Sequence, residues 1–111
     1  MKKDENETYP LLWACYHSNI EMLKLFIYCA NKNKIILKLN EKDKKGNYPL
    51  FFACNKNNIK MIELIIDYAS KNNIILELNE KDKNGSFPFL FACNRENIKM
   101  VKLLINYANK N

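Results

Sequence analysis

The sequence predicts an all-α fold, a helical-repeat solenoid of three helix-turn-helix units joined by extended loops. A fixed internal period, a second helix that is apolar on two sides and a scarcity of turn-forming residues carry this reading. Pro10, Pro49 and Pro88 stand 39 residues apart, and the same step takes Ala14 to Ala53 and Ala92, Cys15 to Cys54 and Cys93, and Asn19 to Asn58 and Asn97. Met22, Met61 and Met100 keep the register, as do Leu25, Leu64 and Leu103, and Ile27, Ile66 and Ile105. Self-similarity at a period of this size is the signature of a stacked array. Two Gly and three Pro among 111 residues are too few for a many-turned β fold.

The units run approximately over 4–42, 43–81 and 82–111, within a single repeat domain spanning 1–111. Lys3 and Asp4 match Lys42 and Asp43, and the closing Asn109, Lys110 and Asn111 match Asn31, Lys32 and Asn33. A chain that begins and stops inside its own pattern is what a piece of a longer array looks like.

Within the middle unit, Asp43 to Pro49 reads as a turn feeding a helix, with Pro49 at the first helical position, where its missing N–H costs nothing. Asn55 to Asn58 breaks that short helix and offers Asn58 as the cap of a second. There, Ile59, Ile62, Ile66 and Ala69 form one apolar stripe and Met61, Ile65 and Tyr68 another, while Lys60, Glu63, Asp67 and Ser70 make the polar side. A helix apolar on two sides is sandwiched between neighbours, because no single helix pair buries itself. Beyond it, Ile74, Leu76 and Leu78 alternate with Ile75, Glu77 and Asn79, which predicts an extended segment. The competing reading continues the helix through Ser70 to Asn73 and beyond.

Asp43, Gly46, Pro49, Leu50 and Ala53, followed by Asn58, Ile59, Met61, Ile62, Leu64, Ile65 and Ile66, resemble the ankyrin repeat pattern D-x-x-G-x-T-P-L-H-x-A and its apolar second helix. Asp82, Gly85, Pro88 and Ala92, with Asn97 to Ile105, repeat the match, which covers essentially the whole chain. The resemblance implies antiparallel helix pairs with protruding hairpin-like loops, used for protein recognition without catalytic residues. Three departures stand out. Tyr9, Tyr48 and Phe87 replace the Thr before proline, so Thr8, Asn47 and Ser86 are the candidate caps. Leu12, Phe51 and Leu90 replace the His. The period exceeds the family's usual 33 residues by six, placed after the second helix; a period of 39 also invites comparison with HEAT repeats, against which the short first helix and the Asp-x-x-Gly turn argue.

No stretch reaches the roughly 20 apolar residues of a membrane span, and Met1 to Glu5 leads into no signal-type apolar run. Cys15, Cys54 and Cys93 share one repeat position, at which the ankyrin resemblance implies a small residue that lets helices approach. Helices stack about 8–10 Å apart and a disulfide needs Cα atoms closer than about 7 Å, so the ladder is expected to stay reduced, in an intracellular, cytoplasmic setting. With no C-x-x-C pair, one histidine (His17) and two isolated glycines, we expect no metal site, no cofactor and no enzyme. Trp13, Phe52 and Phe91 share a position on the first helix, as Tyr9, Tyr48 and Phe87 share one before the proline; recurrence of this kind predicts core. Tyr16, whose counterparts are Asn55 and Asn94, is expected to face solvent.

Positions that change between units while staying polar or exposed are free for recognition. They are Glu5, Asn6, Lys44, Lys45, Lys83 and Asn84 in the turns, and Tyr16, His17, Asn55, Lys56, Asn94 and Arg95 at the ends of the first helices. The ankyrin resemblance places both rows beside one concave face. Their mixed-to-basic character suggests a protein partner with an acidic surface. Two alternatives follow from other features: electrostatic binding of nucleic acid or an anionic membrane surface, from the net charge of +6, and self-association by end-to-end stacking of uncapped repeats. The charge is dispersed among Glu and Asp, which argues against nucleic acid. Register also predicts ion-pair rows of Glu21, Lys60 and Lys99 and of Lys24, Glu63 and Lys102 across the outer helices.

Overall fold

A computed structural model describes residues 9–110. Six α-helices follow one another as α1 (Pro10–Tyr16), α2 (Ile20–Lys32), α3 (Pro49–Asn55), α4 (Ile59–Lys71), α5 (Pro88–Asn94) and α6 (Ile98–Lys110). There is no strand among the described residues. The short helices α1, α3 and α5 pack in one row and the long helices α2, α4 and α6 in a second, each short helix also lying on its own long partner.

Each short helix starts on proline and closes through backbone geometry. After α1, Ser18 turns left-handed at φ 53°, its N–H donates to the Cys15 carbonyl, and the Asn19 N–H donates to the Ala14 carbonyl. This doubly bonded closure satisfies the last carbonyls without glycine. Asn57 and Glu96 adopt the same conformation at the same repeat position. The expected caps of the long helices are present: the Oδ1 atoms of Asn19, Asn58 and Asn97 accept from Met22, Met61 and Met100 N–H, each at 3.1 Å.

The expected caps of the short helices are not. Neither α3 nor α5 has a side-chain cap, because Asn47 and Ser86 are drawn into the preceding turn. Asp43 Oδ1 accepts from Lys45 and Asn47 N–H, and Asp82 Oδ1 from Asn84 and Ser86 N–H. The Asn47 amide nitrogen faces Asp43, and its Oδ1 is buried without a partner. Thr8 lies outside the described residues.

The six additional residues per unit resolve in favour of the extended reading. α2 and α4 end at Lys32 and Lys71, where Lys34 and Asn73 turn left-handed at 56° and 57°. Ile35 and Ile74 N–H then return to the carbonyls of Ala30 and Ala69. Beyond this stop Leu37, Leu39 and Leu76 point inward and are buried, while Ile36, Lys38, Ile75 and Glu77 are exposed. Side chains from other units hold these connectors. Tyr68 Oη on α4 accepts from Leu37 N–H at 3.1 Å and donates to the Ile35 carbonyl, and Tyr107 on α6 does the same for Leu76 and Ile74. Asn40 bridges to the next connector, donating to the Ile75 carbonyl at 2.7 Å and accepting from Glu77 N–H at 2.9 Å.

The core follows the two-stripe reading of the long helices. Met61, Ile62, Ile65, Tyr68 and Ala69 are buried, Ile59 and Ile66 half-buried, and Lys60, Glu63, Asp67 and Ser70 exposed. The outer ion-pair rows are corrected. Glu21 pairs with Lys24 one turn along its own helix at 3.9 Å, and among the described residues Lys60, Glu63, Lys99 and Lys102 join no ion pair. A partner on the same helix is closer than one on the next, and exposed pairs contribute only about 0–1 kcal/mol. The ion pair that joins connector to turn is Lys42 with Glu80 at 3.0 Å.

Candidate recognition surface

The structure arranges the candidate residues as two rows. Lys44, Lys45, Lys83 and Asn84 are exposed at the turn tips. Each turn closes with Gly46 or Gly85 donating to the carbonyl of Asp43 or Asp82, and the tips are tied together where Lys83 N–H donates to the Lys45 carbonyl at 3.0 Å. Glu5 and Asn6 lie outside the described residues.

At the other end of the short helices, Tyr16, His17, Lys56, Asn94 and Arg95 are exposed and Asn55 half-buried. These residues are linked across units: the Lys56 ammonium lies 4.6 Å from the centroid of the Tyr16 ring, and Arg95 donates to the Asn55 carbonyl at 2.6 Å. Among the described residues no hydrogen bond or ring contact joins this row to the turn tips. The rows flank the length of a short helix, seven residues or about 10 Å at 1.5 Å per residue.

Trp13 corrects the core expectation. Its counterpart Phe52 is buried, with the Tyr16 ring of the preceding unit at 5.2 Å, whereas Trp13 is 50% exposed because no described unit precedes it. It lies 4.3 Å from the His17 ring and 6.4 Å from that of Tyr16. Trp13 thus joins the exposed candidate row, where the sequence reading placed it in the core. The signal was its spacing: Tyr16 and His17 follow at i+3 and i+4, on the same helical face. Tyr9 and Tyr48 are buried as expected, and Phe87 and Phe91 are half-buried at the end of the row. Tyr9 Oη donates to the Glu41 carbonyl, and Tyr48 Oη to that of Glu80 at 2.8 Å.

Cys15 and Cys54 are buried, and that burial pushes their thiols up to about 12, so they are protonated at neutral pH and unreactive. Burial first, then the charge of Glu41, raises the Tyr9 hydroxyl far above its ordinary range. Cys93, expected to share the burial of its ladder, is exposed at the end of the stack. Among the described residues no group of three or more His, Cys, Asp or Glu side chains comes together, and no helix is long and apolar enough to cross a membrane.

Paired short and long helices, stacked in register and linked by hydrogen-bonded turns with exposed tips, define a helical-repeat solenoid. A family model described as ankyrin repeats in three copies matches residues 1–75, and one described as ankyrin repeats in many copies matches residues 50–105. The chain belongs to the ankyrin repeat family. Ankyrin repeats are generally protein–protein interaction modules, and proteins built from them are generally non-catalytic scaffolds. No curated protein matches the chain.

Proposed function

We propose that this protein is a recognition scaffold that grips a protein partner carrying an acidic surface, using the ends of its short helices as the primary contact. The observation that carries this reading is the exposed cluster of Trp13, Tyr16 and His17 with the Lys56 cation against the Tyr16 ring. Trp, Tyr and Arg are the residue types enriched among interface hot spots, and Trp and Tyr bury large area at small entropic cost. Lys56 and Arg95 supply positive charge along the same row, and Lys44, Lys45 and Lys83 supply it at the turn tips, which steers an acidic partner and selects against a basic one. Buried thiols used as small apolar residues support a reducing, intracellular setting.

Panning a displayed random-peptide library on the immobilised protein tests this reading. Enriched peptides are expected to be acidic with an apolar anchor, to lose at least tenfold in affinity on Tyr16→Ala, and to lose their acidic bias on the paired changes Lys56→Glu and Arg95→Glu. Peptides without acidic bias, or affinity unchanged in these variants, would overturn it. So would competition by duplex DNA with a steep salt dependence, which marks phosphate binding instead.

A further inference from the structure

The charge is dispersed over the chain as a whole but not over the outer face of its first unit. Between Glu21 and Glu41 there is no acidic residue, and Lys24, Lys32, Lys34 and Lys38 fall in that stretch. The matching stretch of the second unit, Met61 to Asn79, holds Glu63, Asp67 and Glu77 against Lys71 alone. The difference lies at exposed positions. Lys24, Tyr28 and Lys32 follow at intervals of four along α2 and share one face, where α4 carries Glu63, Asp67 and Lys71; all six are exposed. The stripe passes into the connector, whose exposed positions are Lys34, Ile36 and Lys38 in the first unit and Asn73, Ile75 and Glu77 in the second. α6 repeats the lysines with Lys102 and Lys110 but has Asn106 where α2 has Tyr28.

Place in the stack does not account for this exposure. α4 packs between α2 and α6, and its stripe is open all the same. Ile36 is 57% exposed with the next connector beside it, and Ile75 is 65% exposed with the preceding one beside it. A neighbouring unit on either side leaves the position open. Lys71 is tied to Asp67 at 3.2 Å, whereas its counterpart Lys32 lies 5.8 Å from the centroid of the Tyr28 ring. Lys24 keeps a pair with Glu21, and Lys32, Lys34 and Lys38 join no ion pair among the described residues.

We propose that this face docks on an anionic bilayer surface, with Tyr28 and Ile36 entering the interface and Lys24, Lys32, Lys34 and Lys38 reaching the lipid phosphates. The occupant follows from charge and from alternation. Tyr28 stands between Lys24 and Lys32, and Ile36 between Lys34 and Lys38, so the apolar groups do not join into the water-excluding centre that a folded protein partner needs. A headgroup layer accepts this pattern, because apolar tips enter the acyl boundary while lysine stems carry their ammoniums out to the phosphates. Tyrosine is at home in the same boundary. The 13 residues of α2 span about 20 Å and hold the connector end of this face apart from the Trp13, Tyr16 and His17 cluster. The proposal therefore stands independently of the partner reading.

Co-sedimentation of the 111-residue protein with vesicles of equal parts phosphatidylserine and phosphatidylcholine tests the face. The wild type is expected to pellet with these vesicles and to stay in solution with pure phosphatidylcholine. Lys34→Glu combined with Lys38→Glu is expected to weaken partitioning at least about tenfold, since each lysine near an anionic leaflet is worth roughly fivefold. Lys60→Glu combined with Lys99→Glu makes the same charge change at exposed positions outside the face and is expected to alter partitioning by less than about threefold. Ile36→Asn keeps every charge and is expected to cost at least about threefold. All five side chains are exposed, and unchanged helical circular dichroism checks that each variant folds. A wild type that does not pellet would overturn the proposal. So would equal losses in the two double variants, which mark net charge rather than a face, an Ile36→Asn variant that binds as well as wild type, or tighter binding to duplex DNA than to the vesicles.

Discussion

Gly46 and Gly85 occupy the same repeat position with φ of +83° and +79°, yet a Cβ at Gly46 would lie 3.1 Å from the Asp82 Cα of the next turn, while one at Gly85 meets nothing. Left-handed backbone costs a residue with a Cβ about 1–2 kcal/mol. Gly85→Ala is expected to lose about that much in denaturant unfolding, and Gly46→Ala measurably more, the difference reporting the stacking of turn on turn. The cysteines divide just as sharply. Ellman's reagent is expected to modify Cys29 and Cys93 rapidly in the native protein and Cys15 and Cys54 only on unfolding. Burial raises Cys15 and Cys54 from 9.0 to about 12, so the unfolded chain releases these protons first. The sign follows: their contribution to stability is complete below pH 9.0 and is lost as pH rises toward about 12. Urea midpoints are therefore expected to fall with pH in this window, with a flatter onset in a Cys15→Ala, Cys54→Ala double variant. Tyr9 and Tyr48, also raised by burial, add a later loss of the same sign.

The connectors depend on side chains contributed by other elements. Tyr68→Phe leaves the buried Leu37 N–H without its acceptor, a loss of about 1–3 kcal/mol, and Tyr107→Phe does the same to Leu76. Tyr28→Phe, at an exposed position of α2, is expected to change stability by less than about 0.5 kcal/mol; equal effects at the three positions, measured by thermal or urea unfolding, would contradict this account. The alternation of Ile74, Leu76 and Leu78 was enough to predict extended backbone, because burial on one side leaves a period-two trace. The locks were not legible, because Tyr68 and Leu37 lie in different units and no local pattern joins them. The misplaced caps have a similar cause. Asn47 and Ser86 are good capping types, but Asp43 and Asp82 engage their N–H groups within the turn.

Across the whole molecule, the energetic value of a residue depends on its place in the stack as much as on its type. Met61 and Met100 are fully buried between units, while Met22 sits on an open face. Met61→Ala and Met100→Ala are each expected to cost about 2–5 kcal/mol, and Met22→Ala to fall within about 0.5 kcal/mol of wild type, as equilibrium unfolding would report. Position also explains Trp13 and Cys93, which share repeat positions with buried residues and are exposed at the ends. The period of 39, the prolines, the Asn caps and the two-sided apolar pattern determined the helix pairs and their stacking from sequence alone, because each is local and recurs three times. Only the tertiary structure decided which copies of a repeated position are covered, where the long helices stop and what holds their connectors. Those outcomes rest on contacts between units, and a period states that units meet without stating which side chain closes the distance.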